Sequence, residues 1–178
     1  MALYLVNLDE RTRELMLEEL EYDIERDQLH ISPYLSGQGL RDYPNLLRQA
    51  VASGTDETLA ESLRQRRRID RTLNRRKPSG GYTIATIPSN AAEVVAESEF
   101  NRYYIRALCR RAIQDGIEHL IVYRAKPVGQ PRPQSEALIE NEVDPAELLE
   151  DLRRHTGDEA PALGIPAGPG SGLSVRLP

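Results

Sequence analysis

The pattern of apolar and polar residues predicts one long helix over residues 89–116, and we expect this helix to form the core of the fold. Residues 91–114 would span about 36 Å at 1.5 Å per residue. Asn90 is placed to cap the helix and Glu93 to complete a capping box, while Gly116 suits a left-handed stop. The aromatic residues expected to pack in the core are Phe100, Tyr103 and Tyr104.

The same three-to-four spacing predicts helices in the N-terminal half. The first should be capped by Asp9 or Asn7 and should run to about Gln28. After breaks at Ser-Pro and Ser-Gly-Gln-Gly, a second helix should run over about 42–52 with Pro44 in its first turn.

A third helix is predicted to start near residue 55 or 56 and to run into a cluster of arginines. Together with the second helix it would form an αα-hairpin, a shape that also occurs in helix-turn-helix DNA-binding proteins. Its apolar positions would be Leu59, Leu63, Ile69 and Leu73.

Two β-rich runs flank the long helix, YTIATI at 82–87 before it and IEHLIVYRA at 117–125 after it. A strand, a helix and a strand in this order predict a βαβ unit with a right-handed crossover. Two strands alone make a poor sheet, so the alternating segment at 2–6 is a candidate third strand.

The C-terminal third changes character at Lys126. Residues 126–143 are proline-rich and should be extended, and the Asp-Pro-Ala-Glu start predicts a short helix over 144–155. The tail that follows is rich in proline and glycine yet carries spaced apolar residues, which indicates either an arm that docks on a neighbouring subunit or simple disorder. These apolar residues are Leu163, Ile165, Leu173, Val175 and Leu177.

These elements predict an α+β fold that is mostly helical. We expect an N-terminal helical region at 1–77, a β-α-β core at 78–125 that begins with a Pro-Ser-Gly-Gly linker, and an extended arm at 126–178 that contains the short helix.

Charge is unevenly distributed along the chain. The net charge is −5, but residues 64–77 hold eight basic residues and one acid, so the rest of the chain carries 15 basic residues against 27 acids. This asymmetry predicts an acidic partner for the basic run, while a solvated helix face or exposed linker is the alternative. The candidate contact residues in the run are Arg66, Arg67, Arg68, Arg75 and Arg76.

A second basic feature is a stripe on the long helix, where Arg102, Arg106 and Arg110 recur every four residues. We expect this stripe to face outward and to form salt bridges with an acidic protein neighbour, or to contact phosphate.

Candidate chemistry is sparse. The three histidines lie on different elements, Cys109 is the only cysteine and should be buried and inert, and the sequence has no serine nucleophile elbow and no dinucleotide or phosphate-binding glycine motif. We therefore expect no cofactor, no metal and no catalysis, and a small enzyme using His119 or Cys109 ranks last. The sequence also lacks a signal peptide or an apolar run long enough for a membrane span, which predicts a soluble protein made inside the cell.

Three segments, ESEFNRYYIRALCRRAI, VYRAKPVGQPRPQSEALI and GPGSGLSVRLP, resemble a group of small proteins from tailed bacteriophages and related prophages. The resemblance covers roughly residues 82–178, and the proteins of this group are either uncharacterised or placed among virion head or neck components. It implies no catalytic residue and no assigned chemistry.

The first hypothesis is therefore a non-enzymatic structural protein of a phage particle, made in the host cytoplasm and assembled into the virion as a capsid-associated, decoration or head–tail joining subunit. Its partners would be capsid or portal proteins and copies of itself, with possible contact to DNA and none to a membrane. The arm residues Leu173, Val175 and Leu177 would pack on a neighbour. The alternative is a nucleic-acid-binding module that uses residues 64–77.

Overall fold

The fold was analysed in a computed structural model that describes residues 2–156, 161–166, 168 and 170–178. It is a mixed α+β fold that is mostly helical, which confirms the predicted class. The elements in chain order are α1 (Glu10–Glu25), α2 (Gly37–Ser53), α3 (Asp56–Arg64) with a 3-10 turn (Gln65–Arg67), β1 (Thr72–Arg76), β2 (Tyr82–Thr86), α4 (Ala91–Asp115), β3 (Leu120–Arg124), α5 (Pro133–Glu136), β4 (Glu142–Val143), α6 (Pro145–Arg154) and β5 (Leu173–Arg176).

Helix α4 is the central element, as its sequence predicted. It packs against α1, α3 and α6, and its aromatic side chains are buried. Gly116 ends the helix in the left-handed conformation with φ of 68°, as expected. The capping box was wrong, because the Asn90 side chain accepts no hydrogen bond at the helix start and Glu93 pairs with Arg64 instead.

The N-terminal helices form locally, but two boundaries differ from the prediction. Asp9 caps α1 as expected, by accepting a hydrogen bond from the Thr12 amide. Helix α2 begins at residue 37, earlier than predicted, because the Ser36 hydroxyl accepts a hydrogen bond from the Gly39 amide and turns an apparent loop into a capped helix start. Pro44 consequently lies inside α2 and not in its first turn.

Helix α3 starts with a capping box between Thr55 and Thr58 and stops at Arg64. Ile69 and Leu73 therefore do not lie on it, which corrects the longer helix predicted from their spacing. The chain instead turns at residues 65–67 and enters strand β1.

The strands form two separate sheets. Strand β3 lies at the centre of an antiparallel sheet with β4 on one side and β5 on the other, whereas β2 pairs with β1 in a hairpin. The strands before and after α4 thus belong to different sheets, and the predicted βαβ crossover was wrong. The N-terminal segment is not a strand, although the Tyr4 amide donates to the Ala125 carbonyl at 2.8 Å just beyond β3.

The C-terminal arm folds onto its own domain. Leu173 and Val175 are fully buried in β5, and the Leu177 amide donates to the Asn7 side chain. Asn101 on α4 donates to the Leu173 carbonyl and accepts from the Ser174 hydroxyl, both at 2.7 Å. These contacts correct the expectation that the arm packs on a neighbour. Residues 157–160, 167 and 169 of the predicted tail lie outside the described residues.

All three predicted regions contribute to a shared hydrophobic core, which includes Leu15, Phe100 and Val175. The Pro-Ser-Gly-Gly segment predicted as a linker is the turn of the β1–β2 hairpin. Among the described helices, none is long and apolar enough to cross a membrane.

Two neighbouring glycines in α2 allow a matched test of this packing. A Cβ at Gly39 would lie 2.1 Å from the Arg68 carbonyl oxygen, whereas one at Gly37 would meet only the flexible end of Arg41 at 3.8 Å. We expect Gly39→Ala to lower the free energy of unfolding by about 1–3 kcal/mol, because backbone must move to accommodate it. Gly37→Ala should be neutral or stabilise by up to about 1 kcal/mol.

Urea unfolding followed by circular dichroism measures both variants. Equal stabilities for the two alanine variants would contradict the close approach of the Arg68 carbonyl to α2.

Candidate interaction surface

The arginine stripe of α4 points into the protein. Arg106 is fully buried and donates to Asp23 at 2.6 Å and 2.9 Å and to Glu19 at 2.8 Å. Arg102 pairs with Glu99 at 3.3 Å. These contacts correct the expectation of a partner-facing stripe, because the acids that these arginines meet belong to this chain.

Arg110 is the most exposed member of the stripe, and it also pairs internally. Its guanidinium lies 2.7 Å from the Glu18 carboxylate of α1. Helix α6 takes part in the same group of ion pairs, because its Arg153 donates to Glu19 at 2.5 Å. The stripe therefore links α4 to α1 within the fold.

The buried carboxylates remain ionised because their partners outweigh burial. Burial alone would raise the pKa of Glu19, but Arg153 and Arg106 lower it below its ordinary value. The pKa of Glu99 is lowered in the same way against full burial, by Arg102 and His30. Carboxyl groups held ionised by arginine are typical of structural ion pairs, whereas a general acid near neutral pH needs a raised pKa.

The two residues of the enzyme hypothesis do not form a reactive pair. Cys109 is fully buried, and burial raises the pKa of its thiol, so the nucleophilic thiolate is disfavoured. His119 is exposed, just before β3. Among the residues that the structure describes, no group of three or more histidine, cysteine, aspartate or glutamate side chains is placed to hold a metal ion.

The basic run forms a different kind of surface, the β1–β2 hairpin. Thr72 pairs with Thr86 and Arg76 with Tyr82, and a five-residue turn at 77–81 closes the hairpin through a bond from the Lys77 amide to the Gly81 carbonyl. Both glycines of the turn have positive φ. Only Leu73 and Ala85 along the two strands are partly buried, so the hairpin stands away from the body.

The base of the hairpin is firmly anchored. The Asp70 amide donates to the Tyr34 carbonyl at 3.0 Å, and Ile69 forms a bridge with Leu35. The Arg68 guanidinium is buried, where it binds Asp42 and the Ser62 carbonyl, each at 2.7 Å. Arg68 is therefore an anchor of the hairpin rather than a partner-binding residue, which corrects its predicted role.

Apart from Arg64, which pairs with Glu93 at 3.0 Å, the remaining cations of the run are exposed, and within the described part of the chain none of these six forms a salt bridge or a side-chain hydrogen bond. These residues, here called the hairpin cations, are Arg66, Arg67, Arg71, Arg75, Arg76 and Lys77. They stand in contrast to the arginines of the body, most of which are ion-paired. An anionic partner is the natural complement of such a surface.

One face of the hairpin is also apolar. Residues directly opposite each other in an antiparallel pair share a face, so Arg76 lies beside Tyr82, and Ile84 lies two residues along the same face. Tyr82 is 72% exposed and Ile84 is 74% exposed. An isolated hairpin gains little from displaying apolar side chains to water, so this face is suited to burial against another molecule.

The backbone at the hairpin base is strained. Arg66 and Arg67 have φ of 53° and 55°, in the left-handed region that non-glycine residues rarely adopt. Strain of this kind costs on the order of 1–3 kcal/mol per residue and is often found at functional sites. Here it places two consecutive arginine side chains in solvent.

Sequence reasoning identified Arg66, Arg67, Arg75 and Arg76 but missed the apolar face and the two further cations. The omitted residues are Arg71, Lys77, Tyr82 and Ile84. The signal was only partial, because the Gly-Gly turn precedes the β-rich run at 82–87 but Thr72–Arg76 holds a single strand-forming residue, Thr72. The helical spacing of Leu59, Leu63 and Leu73 concealed it.

The buried ion pairs make a stability prediction. Arg106→Ala should lower the free energy of unfolding by about 3–5 kcal/mol, because it leaves Glu19 and Asp23 buried without their main partner. Arg106→Lys keeps the charge but loses the bidentate hydrogen bonding, so the free energy of unfolding should fall by less than in Arg106→Ala. The exposed pair of Arg154 and Glu150 provides the control, and Arg154→Ala should stay within about 0.5 kcal/mol of the parent.

Urea unfolding measures all three variants. A loss below about 1 kcal/mol for Arg106→Ala would show that the pair does not support the fold.

The lowered pKa values of Glu19 and Glu99 also set the direction of the pH dependence. As the pH falls, the unfolded chain takes up protons first, at its ordinary glutamate pKa of about 4.3, so the stabilisation is complete above that value and is lost below it. We expect the urea midpoint to be steady from about pH 7 to pH 5 and to fall towards pH 3.

Glu99→Gln should make the fall of the urea midpoint between about pH 5 and pH 3 smaller. Glu150→Gln, which changes the exposed pair, should leave that fall unchanged. A midpoint that rises on acidification would contradict the assignment of these carboxylates as ionised in the fold.

Comparison with family models, curated proteins and solved structures finds no match to this chain. The phage resemblance thus stays a prediction, and the geometry of the hairpin is what bears on function.

Proposed function

We propose that this chain is a non-enzymatic assembly subunit that binds other proteins through its basic hairpin. Following the resemblance of residues 82–178, the assembly is a phage virion, and the subunit is capsid-associated, decorating or head–tail joining. The chain is made in the host cytoplasm and is incorporated during particle assembly. The observation that carries the proposal is the anchored, exposed hairpin, whose cations and apolar side chains are not covered by any described residue of the chain.

The composition of the hairpin favours a protein partner. Protein interfaces are enriched in tyrosine and arginine around an apolar centre, and Tyr82, Ile84 and Arg76 supply this combination on one face. The hairpin cations around this face would pair with carboxylates of the partner, which supports specificity and fast association.

Nucleic acid binding is the second candidate, because the major groove of DNA admits a two-stranded ribbon of this kind and phosphate is an anion. The cations would then neutralise phosphates and release counterions. The excess of acids in the rest of the chain opposes this reading, since it repels a polyanion that approaches the body.

Particle incorporation tests the proposal. The variant Arg75→Glu/Arg76→Glu should fall at least tenfold in its amount per particle, because it reverses the charge of Arg76 on the face of Tyr82 and Ile84 and of Arg75 on the opposite face. The control Arg41→Glu/Arg154→Glu makes the same charge change on exposed residues of the body and should be incorporated like the parent. Quantitative mass spectrometry of purified particles gives the readout, and thermal melts confirm that both variants fold.

Normal incorporation of the hairpin variant, or absence of the parent chain from particles, would contradict the proposed function. DNA binding by the parent that weakens by about 10³-fold or more between about 50 and 200 mM salt, and that the hairpin variant loses, would favour the second candidate.

A further inference from the structure

A cleft between α3 and the start of α4 is the acidic counterpart of the hairpin. Its volume is about 240 Å³. The lining side chains are five carboxylates, Asp56, Glu57, Glu61, Glu93 and Glu97, together with Ala60, Arg64 and Lys126. Negative charge therefore exceeds positive charge by three among the lining residues.

Two cations of the cleft lining, Arg64 and Lys126, pair with carboxylates of the same cleft. Glu93 binds Arg64 at 3.0 Å through one carboxylate oxygen, while its other oxygen is buried and has no hydrogen-bond partner among the described residues. Glu97 pairs with Lys126. Burial raises the pKa of Asp56, and the nearby charges of Glu97 and Glu57 add smaller contributions in the same direction.

Resting on the proposed function, we propose that the protein partner of the hairpin is a second copy of this chain, whose acidic cleft receives the hairpin cations. Each copy carries two surfaces of opposite charge, a hairpin with six exposed cations and a cleft whose lining has five carboxylates against two cations. Arg64, the first cation of the basic run, already lies in the cleft of its own chain and shows that the cleft accepts a guanidinium. The hairpin cations form no salt bridge to their own cleft in the described structure, so they are available to the cleft of a neighbour.

The contact can close in two ways. The hairpin and the cleft are different surfaces, so two copies can exchange hairpins across a two-fold axis, or each copy can join the next head to tail in a closed ring or an open chain. In either arrangement every hairpin and every cleft of a closed assembly is occupied.

The carboxylates of the cleft also disfavour nucleic acid as a ligand that covers both the hairpin and the cleft. The carboxylates beside the hairpin base attract the cations of another copy but repel phosphates. The apolar pair of Tyr82 and Ile84 gains from burial against protein, whereas phosphate contacts offer it nothing.

Charge reversal in the two surfaces provides the test, with the full chain in each variant. Arg75→Glu/Arg76→Glu changes the net charge of the hairpin strands and turn, residues 72–86, from +3 to −1. Glu57→Arg/Glu61→Arg changes the net charge of the cleft lining from −3 to +1. Each variant alone brings like charge to the contact between the hairpin strands and the cleft, so its self-association should weaken at least tenfold relative to the parent. An equimolar mixture of the two should associate again, because each pair of hairpin strands then meets a cleft of opposite charge.

Sedimentation velocity gives the readout, with Arg41→Glu/Arg154→Glu as the control that should associate like the parent. A parent chain that stays monomeric, or a mixture that fails to recover association although both variants fold, would overturn the self-association. Loss of self-association is distinguishable from failure of the proposed function, because a monomeric chain that still enters particles through its hairpin has another protein as partner. A self-associating chain that is absent from particles contradicts only the proposed function.

Discussion

The fold depends on placing one charge, the Arg106 guanidinium, in the interior of a helical protein. A buried cation without partners strongly destabilises a fold. Helix α1 must therefore place Glu19 and Asp23 on one face, at the level of Arg106 along α4. Arg153 of α6 then completes the coordination of Glu19, and the Tyr103 hydroxyl completes that of Asp23. The pairing fixes how three helices align, because sliding α1 by one turn would separate every charge from its partner.

Elements whose signals are local could be predicted from the sequence. The Asp9 cap, the Gly116 stop and the Asp-Pro start of α6 depend on neighbouring residues only, and all three are present. The direction of the arginine stripe was wrong because helical spacing places residues on one face but does not say whether that face meets water or a row of acids. The predicted role of Leu173 was also wrong, because its partner Asn101 lies 72 residues away and no local pattern in the sequence connects the two.

The basic residues of this protein fall into two groups with different surroundings. Arginines of the body are held in fixed ion pairs, whereas the hairpin cations are displayed on a strained and anchored ribbon. The hairpin between α3 and α4 thus carries the exposed part of the candidate site while adding little to the core. Substitutions at its exposed positions are therefore expected to leave the packing of the body unchanged.

The position of β5 has a consequence for how the protein is made. Leu173 and Val175 close the core against α4, yet Leu173 is synthesised 72 residues after Asn101, the residue that holds it. At ordinary rates of synthesis this is a delay of roughly 4–14 s. During that interval the part of α4 that β5 covers in the folded protein stays exposed, while α1, α3 and α6 already pack against the same helix. A chain without β5 keeps that part of the core in contact with water, so the core is completed only when this strand has been made.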